Sequence, residues 1–292
     1  MENILEISNL SKNYKDFSLK GIDIALEKGY IMGFIGPNGS GKSTTIKLMM
    51  NLIKKDSGTI KIFGLDNDQN NLAIKERIGF VYDENHFYEE LTVKEMKDVI
   101  SPFYRRWDES VFKQYAKDFE LPLNKEIKNL SKGMKMKFSL AIALSHHAEL
   151  FIMDEPTSGL DPLVRSELLE VLQSLLQDEN KSIFFSTHIT SDLDKIADFI
   201  TLIHNGEIIL SKTKDELLEE YCLVKGSKKL LSGHRPENLI GLKQNDYGFE
   251  ALSSSKKEII KQFGDSVMIE KPTLEDIMVF YTRRGERHVS FY

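Results

Sequence analysis

A chain of 292 residues with 41% hydrophobic and 29% charged side chains has the make-up of a soluble globular protein, long enough for one large domain and a small one. No run approaches the ~20 apolar residues of a bilayer span, and Met1-Glu2-Asn3-Ile4-Leu5-Glu6 lacks the basic and apolar regions of a secretory signal. The net charge of −6, with no dominant basic stripe, argues against a nucleic-acid binder, and the single cysteine, Cys222, excludes an internal disulfide and fits a reducing cytoplasm.

Residues 4–8 alternate and predict a first strand. Residues 17–26 alternate again, with Ile22, Ile24 and Leu26 on one face, and predict its antiparallel partner. Tyr14 falls in or near the loop between them, where spacing alone makes it a half-buried surface aromatic. Tyr30-Ile31-Met32-Gly33-Phe34-Ile35 reads as a buried strand, and residues 45–53 have helical spacing. Between them lies Gly36-Pro37-Asn38-Gly39-Ser40-Gly41-Lys42-Ser43-Thr44: Gly, four residues, then Gly-Lys-Ser. Glycines let backbone N–H groups turn inward around an anion, and a helix N-terminus adds its positive dipole end. Lys42 would reach the β- and γ-phosphates, and the Ser43 hydroxyl would take a Mg²⁺ position. The loop predicts an ATP or GTP site, which by itself would equally suit a kinase or a GTPase.

Further along, residues 56–64 predict a turn and short strand, and Ile78-Gly79-Phe80-Val81-Tyr82 another strand ending at Asp83-Glu84-Asn85. The pattern is helical from Leu91 to about Leu144, a region of about 86–145 that is dense in core aromatics. Glu149-Leu150-Phe151-Ile152-Met153-Asp154-Glu155-Pro156 is an apolar strand ending in two carboxylates. Beside a phosphate loop, Asp154 would hold Mg²⁺ through water and Glu155 would orient or deprotonate an attacking water. Asp161-Pro162 starts a helix, with Asp as cap and Pro at the first helical position. Residues 182–188 predict a buried strand ending in His188, a residue that standing alone would be structural. Residues 198–210 predict a hairpin turning at Asn205-Gly206. Apolar strands alternating with helices indicate a parallel sheet covered on both faces. From about Tyr221 the chain breaks into short pieces, and residues 221–292 read as a small appended domain or arm without a catalytic constellation.

Together, these segments resemble the ATP-binding subunit of ABC transporters over roughly residues 1–220. Residues 36–44 match the Walker A motif and residues 151–155 match Walker B with its carboxylate. Leu130-Ser131-Lys132-Gly133-Met134 stands where the family keeps its Leu-Ser-Gly-Gly-Gln signature. Ser158-Gly159-Leu160-Asp161 matches the D-loop, and His188 falls at the switch histidine. The resemblance implies an α/β P-loop ATPase with a mixed sheet core, an antiparallel β-layer and a helical subdomain, followed by the small C-terminal extension. It makes Tyr14 the aromatic that stacks on adenine and His188 a γ-phosphate contact. It also places Ser131 and Gly133 on the γ-phosphate of a partner chain's ATP, and Asp161 in the nucleotide site. Asp83 stands where the family usually has Gln at the metal; it is shorter and charged. Phrases such as residues 29–36, 103–108 and 131–137 are similar to single-cassette ATPases of the acetoin-operon type and of the staphylococcal phenol-soluble-modulin exporter.

That subgroup implies ATP and Mg²⁺ as ligands and a head-to-tail homodimer or heterodimer of ATPase subunits. It also implies a separate ABC-2-type membrane subunit, attachment to the cytoplasmic face of the membrane, and export of peptides or other amphipathic cargo. Residues 83–90, with Phe87 and Tyr88 exposed, are the expected docking groove for the membrane subunit. The alternative is a soluble ABC-type ATPase acting on ribosomes or DNA, against which stand the single cassette, the absence of a cysteine cluster and the absence of a long heptad run.

Overall fold

The computed structural model describes residues 2–82, 87–231 and 238–282. The chain divides into two compact units, Met1–Ile208 and Ile209–Tyr292.

The first unit opens with β1 (Asn3–Asn13) and β2 (Ser18–Glu27), antiparallel, with Ile7 opposite Ile24. β3 (Ile31–Ile35) is buried at every position and leads through the glycine loop into α1 (Lys42–Met49). β4 (Ser57–Ile62) and the short β5 (Leu65–Asp66) complete a four-stranded antiparallel layer of order β2-β1-β4-β5. Alternation in β1 and β2 turns Ile7, Ile22, Ile24 and Leu26 inward, where they share one core with Phe34, Ile46 and Met49. This layer is thus fastened to the elements that carry the phosphate loop.

After α2 (Asn71–Lys75) and β6 (Ile78–Val81) come three helices: α3 (Val93–Ile100), α4 (Glu109–Asp118) and α5 (Lys132–Ser145). Each has a side-chain cap. Thr92 and Glu95 form a reciprocal capping box on α3, Asp108 caps α4 and Ser131 caps α5. Then follow β7 (Leu150–Asp154), α6 (Pro162–Leu175), β8 (Ser182–Thr187), α7 (Thr190–Ile196), β9 (Phe199–His204) and β10 (Glu207–Thr213). The second sheet has the order β10-β9-β3-β8-β7-β6, parallel from β9 to β6. Asn205 and Gly206, at φ +49° and +77°, make the two-residue turn between β9 and β10. Ile35 pairs with Thr187 and Asp154 with Ser186, so β3, β7 and β8 end level with one another. Ligand sites of open parallel sheets form at this carboxyl edge.

The second unit holds α8 (Lys214–Glu220), β11 (Cys222–Gly226), β12 (Ile240–Gln244), β13 (Phe249–Ser253), α9 (Lys256–Phe263), β14 (Val267–Glu270) and α10 (Leu274–Thr282). Its antiparallel sheet runs β12-β13-β11-β14 over a core of Cys222, Val224, Phe249, Ala251 and Ile259. Opposite charges cross the sheet from strand to strand: Lys243 to Glu250, Glu250 to Lys225, Lys225 to Glu270. Gly241, at φ +61°, lets β12 approach α10, because a Cβ there would lie 2.5 Å from the Phe280 carbonyl oxygen.

Candidate functional site

Three connections leave the carboxyl edge of the parallel strands side by side. The phosphate loop follows β3, Glu155 follows β7 and His188 follows β8. Between them opens a cleft of about 720 Å³, lined by residues that include Asn38, Gly39, Lys42, Ser43, Glu155 and His188.

The loop has the backbone that an anion site requires. Gly39 and Gly41 hold φ +78° and +118°, and Gly41 is the N-cap of α1 without any side-chain cap bond. The first N–H groups of α1 are therefore left for a ligand. Gly36 is needed for space: a Cβ there would sit 2.3 Å from the Ile203 carbonyl oxygen. Lys42 is buried, and its ammonium donates to the Gly36 carbonyl at 2.8 Å and the Pro37 carbonyl at 3.4 Å. Ser40 is buried, and its hydroxyl has no hydrogen-bond partner among the described residues.

Lys42 Nζ also lies 3.3 Å from Glu155 Oε1. The other carboxylate oxygen of Glu155 is 2.7 Å from His188 Nδ1 and accepts from the His188 backbone N–H at 3.3 Å. Glu155 adopts φ +49°, a left-handed conformation that costs a non-glycine residue about 1–3 kcal/mol. Its own N–H donates to the Ser186 carbonyl at 2.9 Å, tying this turn to β8. Asp154 accepts from the Ser186 hydroxyl at 3.1 Å, and the Ser43 hydroxyl stands beside it. Burial, helped by the neighbouring charge of Glu155, pushes the Asp154 carboxyl above its usual range, and burial beside Asp154 likewise raises the Tyr82 phenol.

Ser43 and Asp154 offer hard oxygen donors side by side, which fit a Mg²⁺ ion. No group of three or more His, Cys, Asp or Glu suited to a metal exists among the described residues. The donor set thus suits a cation shared with phosphate oxygens and water, since Mg²⁺ is usually bound by one or two carboxylates and substrate phosphates.

The other expected site residues stand elsewhere. Ser131 caps α5, its hydroxyl accepting from Met134 N–H at 3.2 Å. Gly133 lies against α6, where a Cβ would meet Val164 Cγ1 at 2.6 Å. Asp161 caps α6 by accepting from the Leu163 and Val164 N–H groups at 3.1 Å. None of these three lines the cleft among the described residues. Tyr14 does not line it either. It is 46% exposed, with the Lys12 ammonium over its ring and Phe17 at 6.5 Å. Asp16 and Phe17 line the cleft and were not singled out from the sequence, and Ser158 lines it as the first residue of the D-loop match. Phe17 packs on Gly41, 3.0 Å from where a Cβ would be, and only its place three residues after Tyr14 pointed to it.

Asp83 lies outside the described residues, as do residues 84–86. Of the expected docking pair, Tyr88 is exposed. Phe87 is not: it is half-buried with its ring 4.9 Å from Phe138, because the neighbouring helices leave an apolar seat for it. No helix among the described residues is long and apolar enough to cross a membrane.

The family model described as "ABC transporter" matches residues 19–158, and a model of an AAA domain (putative AbiEii toxin, type IV toxin–antitoxin system) matches the partly overlapping residues 124–193. The bacitracin transport ATP-binding protein BcrA of Bacillus licheniformis is 36% identical over 217 residues, 72% of this chain and 69% of that protein. The lantibiotic transport ATP-binding protein SrtF of Streptococcus pyogenes is 35% identical over 221 residues, 74% of this chain and 95% of that one. A solved ATP-binding subunit of an ABC transporter superposes with a TM-score of 0.67 at 29% identity, covering 74% of this chain and 92% of the other. With the phosphate loop, Glu155 and His188 converging on one cleft, the chain belongs to the ATP-binding subunits of the ABC transporter family and is an ATPase.

Proposed function

We propose that this protein is the motor of a bacterial exporter for antimicrobial peptides or similarly amphipathic cargo, working as a head-to-tail dimer bound to a separate ABC-2-type membrane subunit at the cytoplasmic face of the membrane. The cargo class rests on the relatives named for bacitracin and lantibiotic transport. Residues 1–220 would form the ATPase domain and residues 221–292 an accessory domain.

The carrying observation is a half-site. Glu155 is held by Lys42 and His188 at one cleft, while Ser131 and Gly133 of the same chain stand outside its lining. A helix capped by Ser131 presents an N-terminus of the kind that binds anions, so each nucleotide would be closed between the phosphate loop of one chain and the signature of another. In that reading residues 36–44 wrap the phosphates and Lys42 neutralises their charge. Ser43 and Asp154 hold Mg²⁺, which when bound would polarise the phosphoryl oxygens. Glu155 takes the proton of the attacking water, and His188 keeps the carboxylate oriented and reaches the γ-phosphate. Asp161 sets the start of α6 beside the signature, and Tyr14 stacks on the base with Phe17 beneath.

Glu155→Gln tests this directly. It retains the side-chain shape but removes the base, so hydrolysis should fall about 10²–10⁴-fold. ATP with Mg²⁺ should then convert the variant from monomer to dimer by sedimentation velocity. Normal turnover, or no ATP-dependent dimer, would overturn the reading.

A further inference from the structure

We propose that Arg165, acting through Asp192, is a positioning residue that fixes His188 against Glu155. This rests on the catalytic reading of Glu155 and His188 given above.

His188 sits between the end of β8 and the start of α7, a seven-residue helix whose N-cap, Ile189, makes no side-chain cap bond. So short a helix has little stability of its own, and its N-terminus is not fixed by a cap. It is strapped to α6 instead. Arg165 Nε donates to Asp192 Oδ1 at 2.6 Å, and Arg165 Nη2 donates to Ser191 Oγ at 3.0 Å, both in the first turn of α7. At the far end, Gln173 Nε2 donates to the Lys195 carbonyl at 3.0 Å.

The near strap closes a ring. From Glu155 the chain turns, with Ser158 N–H on the Glu155 carbonyl and Leu160 N–H on that of Thr157, and enters α6 at the Asp161 cap. Arg165 lies one turn into α6 and returns through Asp192 to α7. His188 precedes α7 and contacts Glu155 at 2.7 Å. The ring therefore holds both ends of that contact.

The chemistry of Asp192 supports a directional role. It is 1% exposed, and its Oδ2 has no hydrogen-bond partner among the described residues. A buried carboxylate is costly, and an apolar pair of similar volume commonly stabilises as well. What an apolar pair lacks is the fixed angle of a guanidinium fork.

Steady-state hydrolysis by the full chain, with a fluorescent ADP analogue as binding probe, tests the ring. Arg165→Met should lower kcat about tenfold while KM for ATP and analogue affinity change less than about threefold, and Arg165→Lys, which keeps the charge without the fork, should restore only part of the rate. In a His188→Ala background, Arg165→Met should add no further loss, because both changes remove the same placement. The same fold loss with and without His188, or an effect confined to melting temperature or KM, overturns the proposal. Should Arg165→Met fail to fold, Asp192→Asn, which keeps the shape, is carried through the same cycle, and the same two results support or overturn the proposal. A His188→Ala variant of normal kcat would refute the reading of the site itself. A slow His188→Ala beside a normal Arg165→Met refutes only the role of Arg165.

Discussion

Glu149 stands at the foot of β7, the strand whose other end carries Asp154 and Glu155, and Glu149→Gln removes its charge with little change of shape. Its carboxylate accepts from Arg77 Nε and Nη2 at 2.9 and 2.7 Å and from Arg106 Nη1 at 3.0 Å. Arg77 is itself fixed by stacking on Phe63, 3.8 Å from the ring centroid. Arg106 belongs to the connection between α3 and α4, so Glu149 joins the helical region to the catalytic strand. The Glu149 side chain is 23% exposed and that of Arg106 57%. The Arg106 arm is thus largely screened and contributes about 0–1 kcal/mol, while the two-pronged Arg77 arm contributes about 1–3 kcal/mol. A net loss of about 2 kcal/mol corresponds to a melting temperature lower by about 4–8 °C for a unit of this size. The Arg77 guanidinium, as the main cause, holds the Glu149 carboxyl below its usual range. A depressed pKa gives stability that is present in full above the unfolded value of about 4.3 and is lost as pH falls through the folded one. Thermal melts of parent and variant should therefore differ most at neutral pH and converge below about pH 4. A deficit that keeps its size well below that pH would show that the loss is packing and not charge, and would refute the reasoning.

Gly36→Ala should fold but bind nucleotide at least about tenfold more weakly in a fluorescent-nucleotide titration, since the Ile203 carbonyl is strand backbone and the phosphate loop must move instead. Ser131→Ala removes the α5 cap and should cost about 1 kcal/mol in a denaturant melt. It should leave nucleotide binding by the monomer unchanged and lower hydrolysis only at protein concentrations that support dimers.

The site was legible where chemistry and spacing coincide. The phosphate loop, Asp154 and Glu155 occupy strand ends whose apolar runs announced them, and register then brought them level. His188 was different. As one histidine after an apolar strand it carried no signal of its own, and only its resemblance to a family position raised it; the 2.7 Å contact with Glu155 supplies the physical reason. Phe17 was missed because it serves by its position in a loop, which alternation does not encode. Arg165 was missed for a related cause: its partner, Asp192, lies 27 residues away on another helix.

The second unit exposes the same limit at the scale of a fold. Within it, α10 starts at a Thr273 cap that is reciprocal with Asp276. The four-stranded sheet was not foreseen, because Lys225, Lys243, Glu250 and Glu270 interrupt the short strands and read as solvated loops. In the sheet those four charges fall on adjacent strands and pair across them. Each is costly to a strand alone and neutralised only by a neighbour in space, so the pattern that hides the sheet in sequence is the one that holds its outer face together. The same holds for the cleft: the carboxylate of Glu155 acquires its orientation from Lys42 and His188, residues that follow two other strands. What a local reading recovers is therefore the backbone that presents a group, and what it loses is the partner that fixes the group's direction.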